Sequence, residues 1–436
     1  MHHGKRIGIT IGCILVVALS WIAAITMQSD EERQTQLIAE AKALLEDEIY
    51  IRAEPLLEEA ITYRTSLTLT AEELLKEVYR GLAHQSGYTS KYTDLLERQM
   101  ARADTGPEIY REAADYYLSS GQPQEAFAAL RNGIAVTGDA ALQTYYEEKR
   151  YMVKENRAMY EAVSMASGNT IAVREDGKWG IANTNGELVI PCVYDGIGTF
   201  ENGCVVTIQE GVIATVDANN NRLAVYHGAA NEIGGQGEGV VALQTPQGWM
   251  LTNTELNELD NRLEQVGTFS NGLAAACQDG KWGVINKSLE WVVSPDYESI
   301  AMDALGRCYM QGVLFVEKSD GFYLHNTEQE LAGPYEAAQP FLDGLAAVCI
   351  DGKWGFLDTE GTVQISCTYE EAKSYGQHLA AVKVDGRWGY ISRDGSMVIE
   401  PQYLDARNFC NGSAAVQMED GWHFLTLVEY EEGVSI

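Results

Sequence analysis

The sequence predicts a multidomain α plus β chain: a single N-terminal transmembrane helix, an α-helical hairpin stack, and an all-β repeat domain of eight units. Three observations predict it. Tyrosines recur at a constant step through the last two thirds of the chain, at Tyr335, Tyr369 and Tyr403. Apolar residues recur at helical spacing between Asp30 and Ala158. An uncharged run, Ile7–Met27, lies near the N-terminus. The expected boundaries are 1–29 for a cytoplasmic stub and anchor, 30–158 for the helical domain and 159–436 for the β-domain.

The β-domain follows from its period. Tyr297 precedes Tyr335 by a slightly longer step, Leu263 precedes Tyr297 by the usual one, and Tyr160 and Tyr194 start the first two units. A degenerate unit near Gly228–Ala230 fills the gap. Self-similarity at a period of about 20–50 residues marks a solenoid, propeller or array, and the step here, ~34 residues, lies inside that range. Within a unit, Tyr-x-x-Ala/Ile-x-x-Phe leads into an apolar run, as at Leu345–Ile350. An Asp-Gly turn follows at Asp176, Asp279, Asp351 and Asp385, and a second turn at Asn185, Glu360 and Asp394. Such pairs between apolar runs signal hairpins, because both turn positions need φ > 0. Proline near a strand end, as at Pro191, Pro295 and Pro401, fits an edge. Each unit is therefore a meander of three or four antiparallel strands. A closed ring hides its sheet edges, so a propeller is favoured over an open array.

The tryptophans fix the register. Trp179, Trp282, Trp354, Trp388 and Trp422 all lie at one fixed distance after their unit starts, the first four followed by Gly180, Gly283, Gly355 and Gly389. Trp249 is the equivalent in the third unit, Ile213 in the second, and Gly321-Phe322 in the fifth in a shifted frame. A large ring beside a glycine is expected to pack over the next unit, since aromatics carry much of core burial.

The Asp-Gly-Lys-Trp-Gly cores resemble the WG-repeat (KWG-repeat) family of bacterial proteins over about Tyr160–Ile436, with units two, three and five departing from the motif. The resemblance implies repeat β-domains joined to other modules, an interaction role and no family-wide active site.

The helical region shows start and stop signals. Thr70 precedes Ala71-Glu72-Glu73, and Gly106-Pro107-Glu108 opens a helix that Gly121 closes. Three antiparallel pairs are expected: 31–47 with 50–64, 71–86 with 89–103, and 107–120 with 123–136. A seventh helix over 139–158 should cap the stack. Glu108–Asp139 resembles one tetratricopeptide motif through Ala113, Ala114, Tyr117, Leu118, Gly121, Glu125, Ala126, Leu130 and Ile134. Such hairpins bury their apolar faces only by stacking.

At about 1.5 Å per residue, Ile7–Met27 reaches ~31 Å, enough to cross a hydrocarbon core. Lys5 and Arg6 precede it, and Asp30 and Glu31 follow. The positive-inside rule then predicts a single-pass cell-membrane protein with a cytoplasmic N-terminus and its bulk extracytoplasmic. The run is long for a cleaved signal peptide, and Ala24-Ile25-Thr26 is a poor cleavage site. Cys13 sits too early for a lipoprotein cysteine.

A formal net charge of −32 disfavours nucleic acid and anionic surfaces and favours basic partners. No catalytic, cofactor-binding or metal-ligating set emerges. The eight cysteines form no Cys-x-x-Cys and read as small buried hydrophobes. Asp217-Ala-Asn219-Asn-Asn221 starts like a calcium loop, but Arg222 takes the place of its glycine. Gly234–Gly239 lacks the strand-to-helix context of a phosphate cradle and reads as a loop. The expected function is a non-catalytic, membrane-anchored extracytoplasmic scaffold or protein-interaction protein of a bacterial envelope. Cell-wall glycan binding is the alternative, and an envelope enzyme comes third.

Overall fold

A computed structural model describes residues 29–430. Contacts divide the chain into two units, Met1–Tyr146 and Glu147–Ile436.

The first unit holds successive helices: α1 over 29–46, α2 Tyr50–Ala60, α3 Thr68–Gly81, α4 Tyr88–Met100, α5 Pro107–Ser119, α6 Pro123–Thr137 and the start of α7, Ala140–Lys149, which runs past the division at Tyr146. Proline opens both α5 and α6, where its missing N–H is no loss. Gly138 closes α6 in the left-handed region. Helix α5 packs on α6, and Ala113, Ala114 and Tyr117 of α5 and Ala126, Phe127 and Leu130 of α6 are all buried. These include five of the positions that resemble a tetratricopeptide motif. Lys76 on α3 is fully buried, with its ammonium 2.7 Å from Glu73 and 2.5 Å from Glu112 on α5.

Two corrections concern the membrane. No helix among the described residues is long and apolar enough to cross a bilayer. The fold class therefore loses its single N-terminal transmembrane helix, and the single-pass membrane localisation loses its basis. The physical reason is visible in α1, the longest helix described: it carries Asp30, Glu31, Glu32 and Arg33 in its first turns, charges that are costly in hydrocarbon. The run Ile7–Met27 itself lies outside the described residues.

The second unit is a ring of eight four-stranded antiparallel sheets. Blade 1 is typical: an inner strand Ala162–Val163, a second Thr170–Glu175, a third Lys178–Asn183 and an outer strand Leu188–Tyr194. The inner strand is two residues long in every blade but the third. That is how so short a repeat holds four strands, where propeller blades more often take ~40 residues.

Blade 8 closes the ring. Its inner three strands, Asp405–Ala406, Ser413–Met418 and Gly421–Leu427, come from the C-terminal end. Its outer strand, Val153–Tyr160, comes from the start of the unit and pairs antiparallel with Gly421–Leu427. The expected helix over 139–158 is thus corrected: α7 stops at Lys149 and the chain turns into a strand. Sheet pairing overrides local helical preference there. The third unit also starts differently. Tyr226, whose N–H donates to Ile213 O at 2.9 Å, holds the tyrosine station, not Gly228–Ala230. The glycine-rich stretch read as a loop supplies an inner strand, Glu232–Gly237. Glycine is needed there because a Cβ on Gly235 or Gly237 would run into Thr268 and Phe269 of blade 4.

Candidate functional site

The repeat motif is a packing device. Each motif tryptophan pairs across strands with the tyrosine that ends its blade: Trp179 with Tyr194, Trp282 with Tyr297, Trp354 with Tyr369, Trp388 with Tyr403. Trp249 pairs with Leu263 and Phe322 with Tyr335, so both occupy the tryptophan station. Trp422 pairs with Tyr160, the last ring of the period with the first tyrosine.

The rings sit between blades. Trp422 packs with Val163 and Val173 of blade 1. Trp388 packs with Ala406 and Val416 of blade 8. Trp179, Trp282 and Trp354 are half-buried against the following blades. Arg407 lies over Trp422 at 4.3 Å and Lys373 over Trp388 at 4.6 Å, cation–π contacts that favour this packing. None of the seven described tryptophans is exposed.

The glycines have a separate cause. Between the tryptophan and the second residue after it, the outer strand bulges by two extra residues. The bulge brings backbone onto the glycine. A Cβ on Gly180 would lie 2.6 Å from Ile190 O, and one on Gly355 would lie 2.5 Å from Ile365 O. Gly283 and Gly389 meet Val293 O and Ile399 O in the same way. All four are buried.

Antiparallel meanders put alternate loops on opposite faces. One face carries the Asp-Gly turns and the connections between blades. Its carboxylates are partly structural. Glu161, Glu264, Glu336 and Glu370, each one residue after the unit start, accept the N–H of Gly177, Gly280, Gly352 and Gly386 at 2.9–3.1 Å. Lys281 of blade 4 bonds Glu298 of blade 5 at 2.7 Å. The turn aspartates Asp176, Asp279, Asp351 and Asp385 are exposed, with φ of 49–53°.

The other face rims the channel with the turns after the inner strands, and these turns are stitched blade to blade. Glu201 accepts the Glu238 N–H at 3.0 Å, and Glu238 accepts that of Gly272 at 3.1 Å. Asn271 donates to Tyr309 O at 3.1 Å. Gln311 accepts the Gly344 N–H at 2.9 Å, Asp343 that of His378 at 2.6 Å, and Gln377 that of Gly412 at 2.6 Å. Asn411 donates to Gly168 O at 2.8 Å, joining blade 8 to blade 1. Gly168 has no side chain with which to extend the series to blade 2.

Burial pushes the Glu238 carboxyl up, but Lys287 at 2.8 Å and the Gly272 N–H outweigh it and hold the group below its ordinary range. A depressed pKa contributes stability that is complete above the unfolded value, ~4.3, and lost as pH falls through the folded one. Thermal unfolding followed from pH 6 to pH 3 should therefore show a smaller acid loss of Tm for Glu238→Gln than for the parent chain.

Two cavities lie along the channel. One, about 620 Å³, is lined by blades 1, 5, 6, 7 and 8 through Met165, Arg307, Gln311, Asp343, Gln377 and Cys410. The other, about 320 Å³, involves blades 1, 2 and 3 and Leu305. The loop after the inner strand of blade 5 lines both. Asp303 holds it together, accepting N–H groups of Leu305 and Arg307 and pairing with the Arg307 guanidinium at 2.7 Å. Its Gly306 O accepts the Thr268 N–H at 2.7 Å. Sequence reasoning missed this loop, although the longer step from Tyr297 to Tyr335 marks its extra length.

Other candidates resolve simply. Asp217 directs its carboxylate into its own turn, accepting from Asn219 and Asn221 N–H groups at 2.9 and 2.7 Å. The seven described cysteines are free and buried or half-buried. Burial pushes their thiols up, that of Cys308 to about 12, as for inert core residues.

The strand pairing and the periodic rings together define an eight-bladed β-propeller repeat protein with an N-terminal helical region. The chain belongs to the WG-containing repeat family, which matches residues 179–211, 262–282, 282–303, 335–354, 354–388 and 388–422. The gaps fall in units two, three and five, which depart from the motif. No curated protein matches the chain in sequence. Among solved structures, the Neurospora crassa Pan2 WD40 domain is similar at 9% identity and a TM-score of 0.33, covering 62% of this chain and 90% of that one. YCF48 from Cyanidioschyzon merolae is similar at 11% identity and a TM-score of 0.33, covering 65% and 99%. The propeller rests on the strand pairing, not on these likenesses.

Proposed function

We propose that the chain is a non-catalytic interaction protein whose propeller presents its Asp-Gly-turn face to a basic protein partner. The observation that carries this reading is that the residues that repeat from blade to blade are engaged inside and between blades. What remains for recognition is a broad platform of turns. On one face those turns carry exposed aspartates in a chain of net charge −32, which favours a positively charged partner through steering and complementarity. Among the described residues no phenylalanine, tyrosine or tryptophan ring is exposed for stacking, so a glycan reading is not favoured.

The test begins with cross-linking in intact cells and mass spectrometry to identify partners, followed by titration with the purified chain. Asparagine tolerates the left-handed conformation of these turns. Replacing Asp176, Asp279, Asp351 and Asp385 together by Asn should therefore leave unfolding unchanged. Affinity should fall about tenfold, at ~0.3–0.4 kcal/mol per charge, with a shallower salt dependence. Unchanged affinity and salt dependence contradict this assignment of the face.

A further inference from the structure

We propose that the 620 Å³ channel cavity is a binding site for a small oxyanion-bearing molecule, a carboxylate or a phosphate. It lies toward the stitched rim, opposite the Asp-Gly turns, and is independent of the partner surface above.

The lining groups differ in which of their ends are engaged. Gln311 and Gln377 both line this cavity. Each stitches its blade to the next through its carbonyl: Gln311 Oε1 accepts the Gly344 N–H and Gln377 Oε1 accepts the Gly412 N–H. The amide NH2 of each takes no part in the stitch, and an amide carries two donors there. Arg307 reaches the same cavity on the long loop of blade 5. Asp303 engages its Nε and Nη2, which leaves the Nη1 corner. The carboxylate in the wall, Asp343, is already engaged. Asp343 takes the His378 N–H at 2.6 Å and lies 3.0 Å from the His378 ring, and Arg393 donates to the Asp343 carbonyl at 2.7 Å. A wall with donors to give, its carboxylate and glutamine carbonyls engaged, selects an acceptor-rich ligand. The volume lies within the range of small-molecule sites.

Blade 3 supplies the control. At the station of Gln311 and Gln377 it carries Glu238, which accepts the Gly272 N–H in the same way. A carboxylate therefore sustains the stitch. Gln311→Glu and Gln377→Glu keep the acceptor and replace the NH2 donors by negative oxygens facing the cavity.

The experiment is calorimetric titration of the full chain with citrate and, separately, with inorganic phosphate, against chloride at matched ionic strength. Saturable binding of either or both is expected, and the stronger one identifies the source of the oxyanion. The Q311E/Q377E chain should bind at least tenfold more weakly with an unchanged ligand-free Tm. If that variant unfolds, the parent labelled with 15N-glutamine decides: the side-chain NH2 signals of Gln311 and Gln377, assigned from the single variants, should shift on titration. Neither citrate nor phosphate binding beyond chloride, equal binding by a folded Q311E/Q377E chain, or unmoved glutamine signals overturns the proposal.

Discussion

Trp422→Ala is expected to destabilise the β-repeat unit by about 4 kcal/mol, within the range for truncating a buried tryptophan. The ring is 5% exposed. It packs on Val163 and Val173 of the neighbouring blade and pairs with Tyr160 on the closing strand of its own blade. The substitution thus opens a cavity at the seam where the two ends of the ring meet. Urea unfolding followed by tryptophan emission should show the drop in midpoint. The m-value should hold if the ring still unfolds as one unit. Trp179→Ala, at a half-buried station inside the chain, should lose less, since it leaves the closing seam intact and removes less buried surface.

Gly355→Ala is expected to cost about 3 kcal/mol, although it adds one methyl group. Overpacking a well-packed site costs about 1–3 kcal/mol, and here the obstacle is backbone. The new Cβ meets Ile365 O at 2.5 Å and Cys367 N at 2.7 Å. Relief requires the outer-strand bulge to move away from Trp354 and Tyr369. The contrast is Gly352→Ala in the Asp-Gly turn, where a Cβ meets no atom within 4 Å and the penalty is only that of a left-handed conformation, φ 70°, about 1 kcal/mol. A larger loss at Gly352 than at Gly355 rules out the bulge as the reason for Trp-Gly.

Much of this was legible in the chain itself. The constant tyrosine step gave the number of units, and Asp-Gly gave the hairpins, because both signals are local and repeat. Phe322, read in a shifted frame, does hold the tryptophan station. Tyr226 was missed because the station it holds is defined by its cross-strand partner, not by spacing. Residues 153–158 of the strand Val153–Tyr160 were read as helix for the same reason: the strand's partners, from Trp422 to Leu427, lie at the far end of the chain. The oxyanion cavity could not be read at all. Gln311 and Gln377 belong to no motif, and their importance lies in which end of each amide the next blade engages. The acidic character was legible as a total, while its division into turn-capping glutamates and exposed aspartates needed the geometry. Charge alone could not place the bulk of the chain in the cell, and the anchor read from Ile7–Met27 finds no spanning helix among the described residues.

Closure of the ring is the claim on which the packing of every blade depends. Lys154 and Thr426 are cross-strand partners in blade 8, and such partners hold their Cβ atoms about 4.5–5.5 Å apart, within reach of a disulfide. Mild oxidation of the K154C/T426C chain, read by mass spectrometry of its peptides, should yield the 154–426 link as efficiently as T170C/N183C, partners within blade 1, yields its own. A chain in which T170C/N183C links while K154C/T426C stays reduced is an open array, and that result contradicts the propeller.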